Sequence, residues 1–180
     1  MYDERVAVAA LRAAYPDVDS EDPVAFFGEE GTHFQGLMFA WLYWPRLIEI
    51  HGAVFLCLNG EDESYIRELL STPVADGHSD WLPMSWKNVV DNFNWFEVLH
   101  LFGLHVPPDE YVVPASEQIA EILVESWSAR LKVAYPEREF SVSLMDSDTE
   151  DVGIEVVQTA PELEVPAGWD PRRRFINPDV

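Results

Sequence analysis

The chain has 180 residues, a length that suits one domain able to bury about 70% of its extended surface without disulfides or metals. Its 33 acidic and 11 basic side chains give a net charge of −22, which disfavours nucleic acid and anionic lipid as partners and favours a basic protein. The alternative is that proteins of the source organism are generally acidic and lysine-poor, in which case the charge would serve solubility.

The compartment is indicated by one cysteine and by the N-terminal segment. Cys57 cannot form an internal disulfide, which favours a reducing environment. The first residues are charged and contain no long apolar stretch, so they do not resemble a secretory signal. We therefore expect a cytoplasmic protein.

Two segments precede the most apolar part of the chain. Residues 3–15 have the periodicity of a helix with one face of small residues, and Pro16 ends the pattern. Residues 17–31 predict an acidic loop. We expect the apolar patch at residues 24–27, within this loop, to point toward the protein interior.

The densest apolar run, residues 33–58, is the stretch around which we expect the core to pack. Its first half predicts a helix, because Thr32 and Gln35 have the spacing of a capping box and the following residues are apolar on nearly every side. Its second half predicts a β-hairpin with a tight turn at His51-Gly52. Charged residues and a proline interrupt the run, so we do not expect it to span a membrane.

The rest of the chain predicts further helices and a second hairpin. Helical periodicity predicts three helices, at residues 63–71, 85–102 and 116–135. Alternating apolar residues predict strands at 139–146 and 152–159, joined by a polar loop, so the two strands should pair antiparallel. Residues 160–180 contain several prolines and three consecutive arginines and predict an irregular tail.

Together these elements predict an α+β fold. We expect the two hairpins to form one antiparallel sheet of about four strands, covered by four or five helices. Neither an internal repeat nor a long linker is apparent in the sequence, so residues 1–180 are predicted to form a single domain that ends in the irregular tail.

One irregular segment has the composition of a binding surface, because it combines acidic side chains with tryptophan and methionine. The candidate partner-binding residues are Asp76, Asp80, Trp81, Met84 and Trp86. Aromatic anchors of this kind are typical of interfaces, and the acids would meet a basic partner. The alternative is that Trp81 and Trp86 close the core.

A metal site is a second candidate. Glu97 and His100 have the Glu-x-x-His spacing that places a carboxylate and an imidazole on one helix face, and His105 would add a second imidazole. The same spacing also arises by chance in a glutamate-rich chain. Motifs for nucleophilic catalysis or nucleotide binding do not occur, and Cys57 in an apolar strand is typical of a small buried hydrophobic residue. We expect no cofactor and lean away from an enzyme.

An acidic, tryptophan-rich, single-domain α+β protein without catalytic motifs resembles the immunity proteins that neutralise bacterial polymorphic toxins. The resemblance is one of composition and size. It implies a protein-binding module that neutralises or regulates a cationic protein partner. Two alternatives stay open: a small metal-dependent enzyme or binder that uses Glu97, His100 and His105, and a self-associating structural protein. The sequence does not indicate an oligomeric state.

Overall fold

The computed structural model describes residues 3–18, 23–58, 62–74, 82–102, 109–145 and 152–178. Within these ranges the chain forms seven helices and seven strands, and the strands make three small antiparallel sheets. The predicted α+β class is confirmed. The two predicted hairpins do not share one sheet, however, because each belongs to a different one of the three.

The helices are α1 (Glu4–Ala14), α2 (Pro23–Glu29), α3 (His33–Tyr43), α4 (Asp62–Ser71), α5 (Trp86–Phe93), α6 (Val98–Leu101) and α7 (Asp109–Ala134). The strands are β1 (Arg46–Ile50), β2 (Ala53–Cys57), β3 (Trp95–Glu97), β4 (Glu139–Leu144), β5 (Gly153–Ala160), β6 (Trp169–Asp170) and β7 (Phe175–Ile176). The sheets have the strand orders β1-β2, β3-β5-β4 and β6-β7.

The chain divides into two compact units. Unit 1 comprises Met1–Trp44, Trp95–Arg130 and Val142–Glu155, and unit 2 comprises Pro45–Asn94, Leu131–Ser141 and Val156–Val180. Helix α7 and strands β4 and β5 each contribute residues to both units. The single domain expected from the sequence stays a prediction.

Local sequence signals determine where helices α1 and α3 begin. The Asp3 side chain accepts a hydrogen bond from the Arg5 backbone N–H at 2.9 Å and caps α1. The capping box of α3 is present as predicted, since Thr32 Oγ1 accepts from Gln35 N at 3.2 Å and Gln35 Oε1 accepts from Thr32 N at 2.7 Å. Pro45 follows shortly after the end of α3 and prevents its continuation.

The hairpin β1-β2 forms the centre of unit 2. Ile50 pairs with Ala53, which leaves His51 and Gly52 as a two-residue loop. Their φ angles are 48° and 77°, and two positive φ values are typical of the type I′ turn that suits the twist of a hairpin. All five residues of β2 are buried. The predicted hairpin and its turn are confirmed.

Asn94 ends α5, and its side chain forms hydrogen bonds with the backbone of β2. This side chain is 2% exposed; its Oδ1 accepts from Leu56 N at 3.1 Å and its Nδ2 donates to Val54 O at 2.8 Å. The amide thus pairs with the edge of β2 that β1 leaves open, as a neighbouring strand would. The single helix predicted over residues 85–102 is wrong, because the chain leaves helical geometry at Asn94 and then forms β3 and α6.

Aromatic and aliphatic side chains from several elements surround this hairpin. Trp86 is 1% exposed, and its ring lies 6.5 Å from that of Phe55 and 5.4 Å from that of Trp169. Trp169 belongs to β6, where it pairs with Ile176 of β7. The segment after residue 160, predicted as irregular, therefore contains two short strands and contributes a tryptophan that packs against the core.

Helix α7 begins earlier than the predicted start at residue 116 and contains Pro114. Its most buried side chains recur every three or four residues, as expected for one face of a helix: Ala120, Leu123, Trp127 and Leu131. In the neighbouring sheet β5 lies between β3 and β4, with Ile154 opposite Phe96. The predicted amphipathic helix and C-terminal hairpin are both present.

Candidate functional site

Helix α3 presents a stripe of large apolar side chains to solvent. Phe34, Leu37, Met38 and Trp41 have the spacing of one helix face and are 83%, 68%, 61% and 70% exposed. These four residues are termed the outer stripe. None of the eleven residues of α3, all of which the structure describes, is buried. The prediction that this helix lies at the centre of the core is therefore wrong.

Other parts of helix α3 contact the rest of unit 1. The ring of Phe39 lies 6.5 Å from that of Phe102, and the indole N–H of Trp127 donates to the Leu42 carbonyl at 2.8 Å. Trp127 is itself fully buried, with its ring 5.2 Å from that of Phe96. At 100° per residue, Phe39 lies on the side opposite the outer stripe, whereas Leu42, four residues after Met38, lies beside the stripe and is half-buried. The helix is thus held by one face while the other remains open.

Helix α2 of the same unit also exposes apolar side chains. Val24 and Phe27 are 69% and 74% exposed, whereas Phe26 is buried and its ring lies 6.3 Å from that of Tyr15. The expectation that the patch at residues 24–27 points inward is correct for Phe26 and wrong for Val24 and Phe27. The segment is a short helix with one buried anchor rather than a loop.

The outer stripe has the chemistry of a docking surface rather than of a reaction centre. Single exposed apolar residues are ordinary, but contiguous apolar patches of more than a few hundred Å² mark interaction sites on soluble proteins. Each large apolar side chain contributes roughly 1.5–3 kcal/mol when a partner buries it fully. Helix α3 carries no acidic residue, lysine or arginine, while the exposed Glu29 and Glu30 lie just before it. Helix α3 is thus an apolar surface with two acidic residues just before its N-terminal end.

The structure locates only part of the predicted partner-binding set. Asp76, Asp80 and Trp81 lie outside the described residues. Met84 is half-buried and packs against the core of unit 2, and Trp86 is one of its most buried side chains. The prediction of Trp86 as a surface anchor is wrong, and the alternative that it closes the core applies. A side chain with 1% of its surface exposed offers no contact area to a partner.

The structure brings two of the three predicted metal ligands together. Glu97 ends β3 and His100 lies in α6, where the Glu97 carboxylate contacts His100 Nδ1 as an ion pair if the imidazole is protonated. His105 lies outside the described residues. Within the ranges that are described, no cluster of three or more His, Cys, Asp or Glu side chains is arranged to hold a metal. The metal site stays a prediction.

Cys57 is not placed for nucleophilic chemistry. It is the last residue of the buried strand β2, and burial raises the pKa of its thiol to about 11, with nearby Asp62 adding to the shift. A thiol with this pKa stays protonated near neutral pH, whereas reactive cysteines are thiolates. Its role is that of a small apolar residue in the core.

Comparisons with known proteins give no further guidance. No model of a known protein family matches this sequence, and no curated protein or solved structure is significantly similar to it. In the described part of the chain, none of the helices combines the length and the apolar character that crossing a membrane requires. Function has to be inferred from the exposed surface itself.

Proposed function

We propose that the protein is a binding module that recognises a cationic, amphipathic segment of a partner protein through the outer stripe of α3. The observation that carries this proposal is the row of four exposed apolar side chains on a helix whose other face is anchored. A partner helix with its own apolar stripe would lie against this row, which is a common mode of helix recognition. The large side chains Phe34 and Trp41, at the two ends of the row, would be the main anchors.

The charge of the chain favours a basic partner. Residues 17–31, immediately before α3, carry six acids and no lysine or arginine, and the whole chain has a net charge of −22. Lysines and arginines beside the apolar face of the partner would be attracted by this field, so association would be fast and sensitive to salt. Self-association through the same stripe would instead bring two strongly acidic chains together.

This proposal agrees with the resemblance to bacterial immunity proteins. A protein of that class would neutralise or regulate a cationic partner by covering its surface, without any catalytic step. The acidic charge argues against nucleic acid as the partner. The lone Cys57 suits the cytoplasm, where thiols remain reduced.

The experiment uses a matched pair of exposed leucines and a defined probe. A fluorescent amphipathic helical peptide of leucine and lysine is titrated against the wild-type protein, Leu37→Ser in the outer stripe, and Leu82→Ser, whose leucine is 83% exposed but lies in unit 2. We expect Leu37→Ser to weaken binding about tenfold and Leu82→Ser to leave it unchanged. The association rate should fall from low to physiological salt, and a leucine-glutamate peptide should not bind.

Two results would contradict the proposal. Equal peptide affinity for the two leucine variants would show that binding is a general attraction to an acidic surface. A wild-type dimer in sedimentation equilibrium that Leu37→Ser dissociates would assign the outer stripe to a second copy of the chain. If neither occurs, the same variants identify the natural partner as a basic protein retained from lysate by Leu82→Ser and not by Leu37→Ser.

A further inference from the structure

A cavity of about 560 Å³ opens in unit 2 beside α4, α5 and the segment that carries β6 and β7. Small-molecule sites commonly have volumes of roughly 300–1,000 Å³ and combine apolar walls with a few polar groups. This cavity has both features. Its walls include Tyr65, Leu69, Val89 and Phe93, and its polar groups include those of Asn92 and Arg174.

The apolar wall of the cavity is held by aromatic packing, but some of its side chains remain exposed to solvent. The ring of Phe93 lies 5.8 Å from that of the buried Phe55 and 6.4 Å from that of Tyr65, in both cases edge to face. Tyr65 and Leu69 are nevertheless 57% and 40% exposed. A bound apolar group would therefore remove surface from water without requiring the aromatic wall to rearrange.

The position of Arg174 is determined by its loop. Its backbone N–H donates to the Asp170 carbonyl at 2.7 Å, and its φ of 54° lies in the left-handed region that residues with a side chain rarely adopt. The Asp170 carboxylate accepts from the backbone N–H groups of Arg172 and Arg173 at 2.9 and 3.1 Å. Arg174 lines the cavity, and its Nη2 donates to the Leu82 carbonyl at 3.3 Å, which holds the guanidinium in place. Unusual backbone geometry of this kind is often retained at binding sites.

We propose that this cavity binds a small monocarboxylic acid with an apolar body. The carboxylate would accept hydrogen bonds from Arg174, whose planar group has five donors and fits two carboxylate oxygens. The apolar body would lie against Tyr65, Leu69 and Phe93. Arg174 is the one cationic side chain among the described residues that line the cavity, and the chain has a net charge of −22, so anions with several charges, such as nucleotides, should bind less well. This ligand site is independent of the outer stripe, since it involves none of the same residues.

The test compares two probes with the same carbon skeleton. 4-Phenylbutanoate and the uncharged 4-phenylbutan-1-ol are titrated against the full chain, and methyl NMR signals of Leu69, Val74 and Val89 report on the cavity. We expect saturable shifts of these methyl groups, with the acid bound at least tenfold more tightly than the alcohol. Equal affinity for both probes would overturn the proposal, as would shifts confined to Leu37 and Met38 of the outer stripe.

Three variants assign the recognition to particular groups. Arg174→Gln should abolish the preference for the acid while leaving the affinity for the alcohol unchanged. Arg172→Gln removes the same charge from an exposed position in the same turn and should bind like wild type. Leu69→Trp, at a half-exposed wall position, should weaken both probes at least fivefold by filling the cavity. Equal loss of acid binding in Arg172→Gln and Arg174→Gln, or unchanged binding in Leu69→Trp, would show that the acid does not bind in this cavity.

Discussion

Helix α3 and strand β2 are close in the sequence and similarly apolar, yet all five residues of β2 are buried and none of the eleven in α3 is. The difference lies in how many sides of each element are covered. Strand β2 pairs with β1 along one edge and with the Asn94 amide along the other, and α5 packs against it. Helix α3 is held in unit 1 through the ring of Phe39 and the carbonyl of Leu42, and its outer stripe is exposed. An apolar element that is covered on one side leaves an apolar surface exposed to solvent.

Two phenylalanine substitutions test this contrast most strongly. Phe55→Ala in β2 removes a fully buried ring that lies 5.8 Å from Phe93 and 6.5 Å from Trp86, so the free energy of unfolding should fall by about 3–5 kcal/mol. Phe34→Ala in α3 removes a ring that is 83% exposed and should change that free energy by less than about 0.5 kcal/mol. Urea denaturation followed by circular dichroism measures both values.

A decrease of more than about 2 kcal/mol in the free energy of unfolding of Phe34→Ala would contradict the contrast between β2 and α3, because a decrease of that size requires a buried ring. The outer stripe would then be covered in solution. Repeating the denaturation at several protein concentrations would show whether a second copy of the chain covers it, since only an intermolecular contact makes the midpoint depend on concentration.

The features that the sequence predicted well are those encoded by nearby residues. The turn at His51-Gly52 and the capping box of Thr32 and Gln35 each depend on residues within four positions of one another, and each is present. The helix break at Asn94 could not be predicted in this way. Its side chain bonds to Leu56, 38 positions earlier in the chain, and helical periodicity alone does not reveal a partner at that distance.

The candidate site was missed for a different physical reason. Helix α3 is apolar on nearly every side, so no polar face indicates which side meets solvent, and burial on all sides is the ordinary expectation. The mixture of aromatic and acidic residues at positions 76–86 predicts the anchors in a different segment, and Trp86 of that segment is in the core. The spacing of Phe34, Leu37, Met38 and Trp41 was available in the sequence. It identifies a helix face, but not whether another element covers it.

The burial of β2 should also affect stability at alkaline pH. The pKa of the Cys57 thiol is raised from 9.0 to about 11 by burial, so the unfolded chain loses this proton at lower pH than the folded one. The contribution of the Cys57 thiol to the free energy of unfolding is therefore fully present below about pH 9 and declines as pH rises toward about 11. We expect wild type to lose on the order of 1–2 kcal/mol more than Cys57→Ala between about pH 8 and pH 10.5.

Urea denaturation of both proteins at the two pH values measures this difference, and the subtraction removes the titration of tyrosine and lysine residues that the two chains share. Parallel stability curves for wild type and Cys57→Ala would mean that the thiol has an ordinary pKa. The end of β2 would then be accessible to water, and the contrast with α3 would be smaller than the structure indicates.

The smallest expected effect concerns one glycine in each of the two regions. Gly36 lies in α3, and a Cβ added there would meet no atom within 4 Å beyond the neighbouring residues and the backbone of its own helix, so Gly36→Ala should stabilise the protein by about 0.5–1 kcal/mol through the lower flexibility of the unfolded chain. Gly52, in the hairpin turn, has a φ of +77°, so Gly52→Ala should destabilise by roughly 1 kcal/mol even though space is available. Because Gly36 falls outside the outer stripe, the leucine-lysine peptide should bind Gly36→Ala as it binds wild type. Destabilisation by Gly36→Ala in thermal denaturation would show instead that another part of the protein covers this side of the helix.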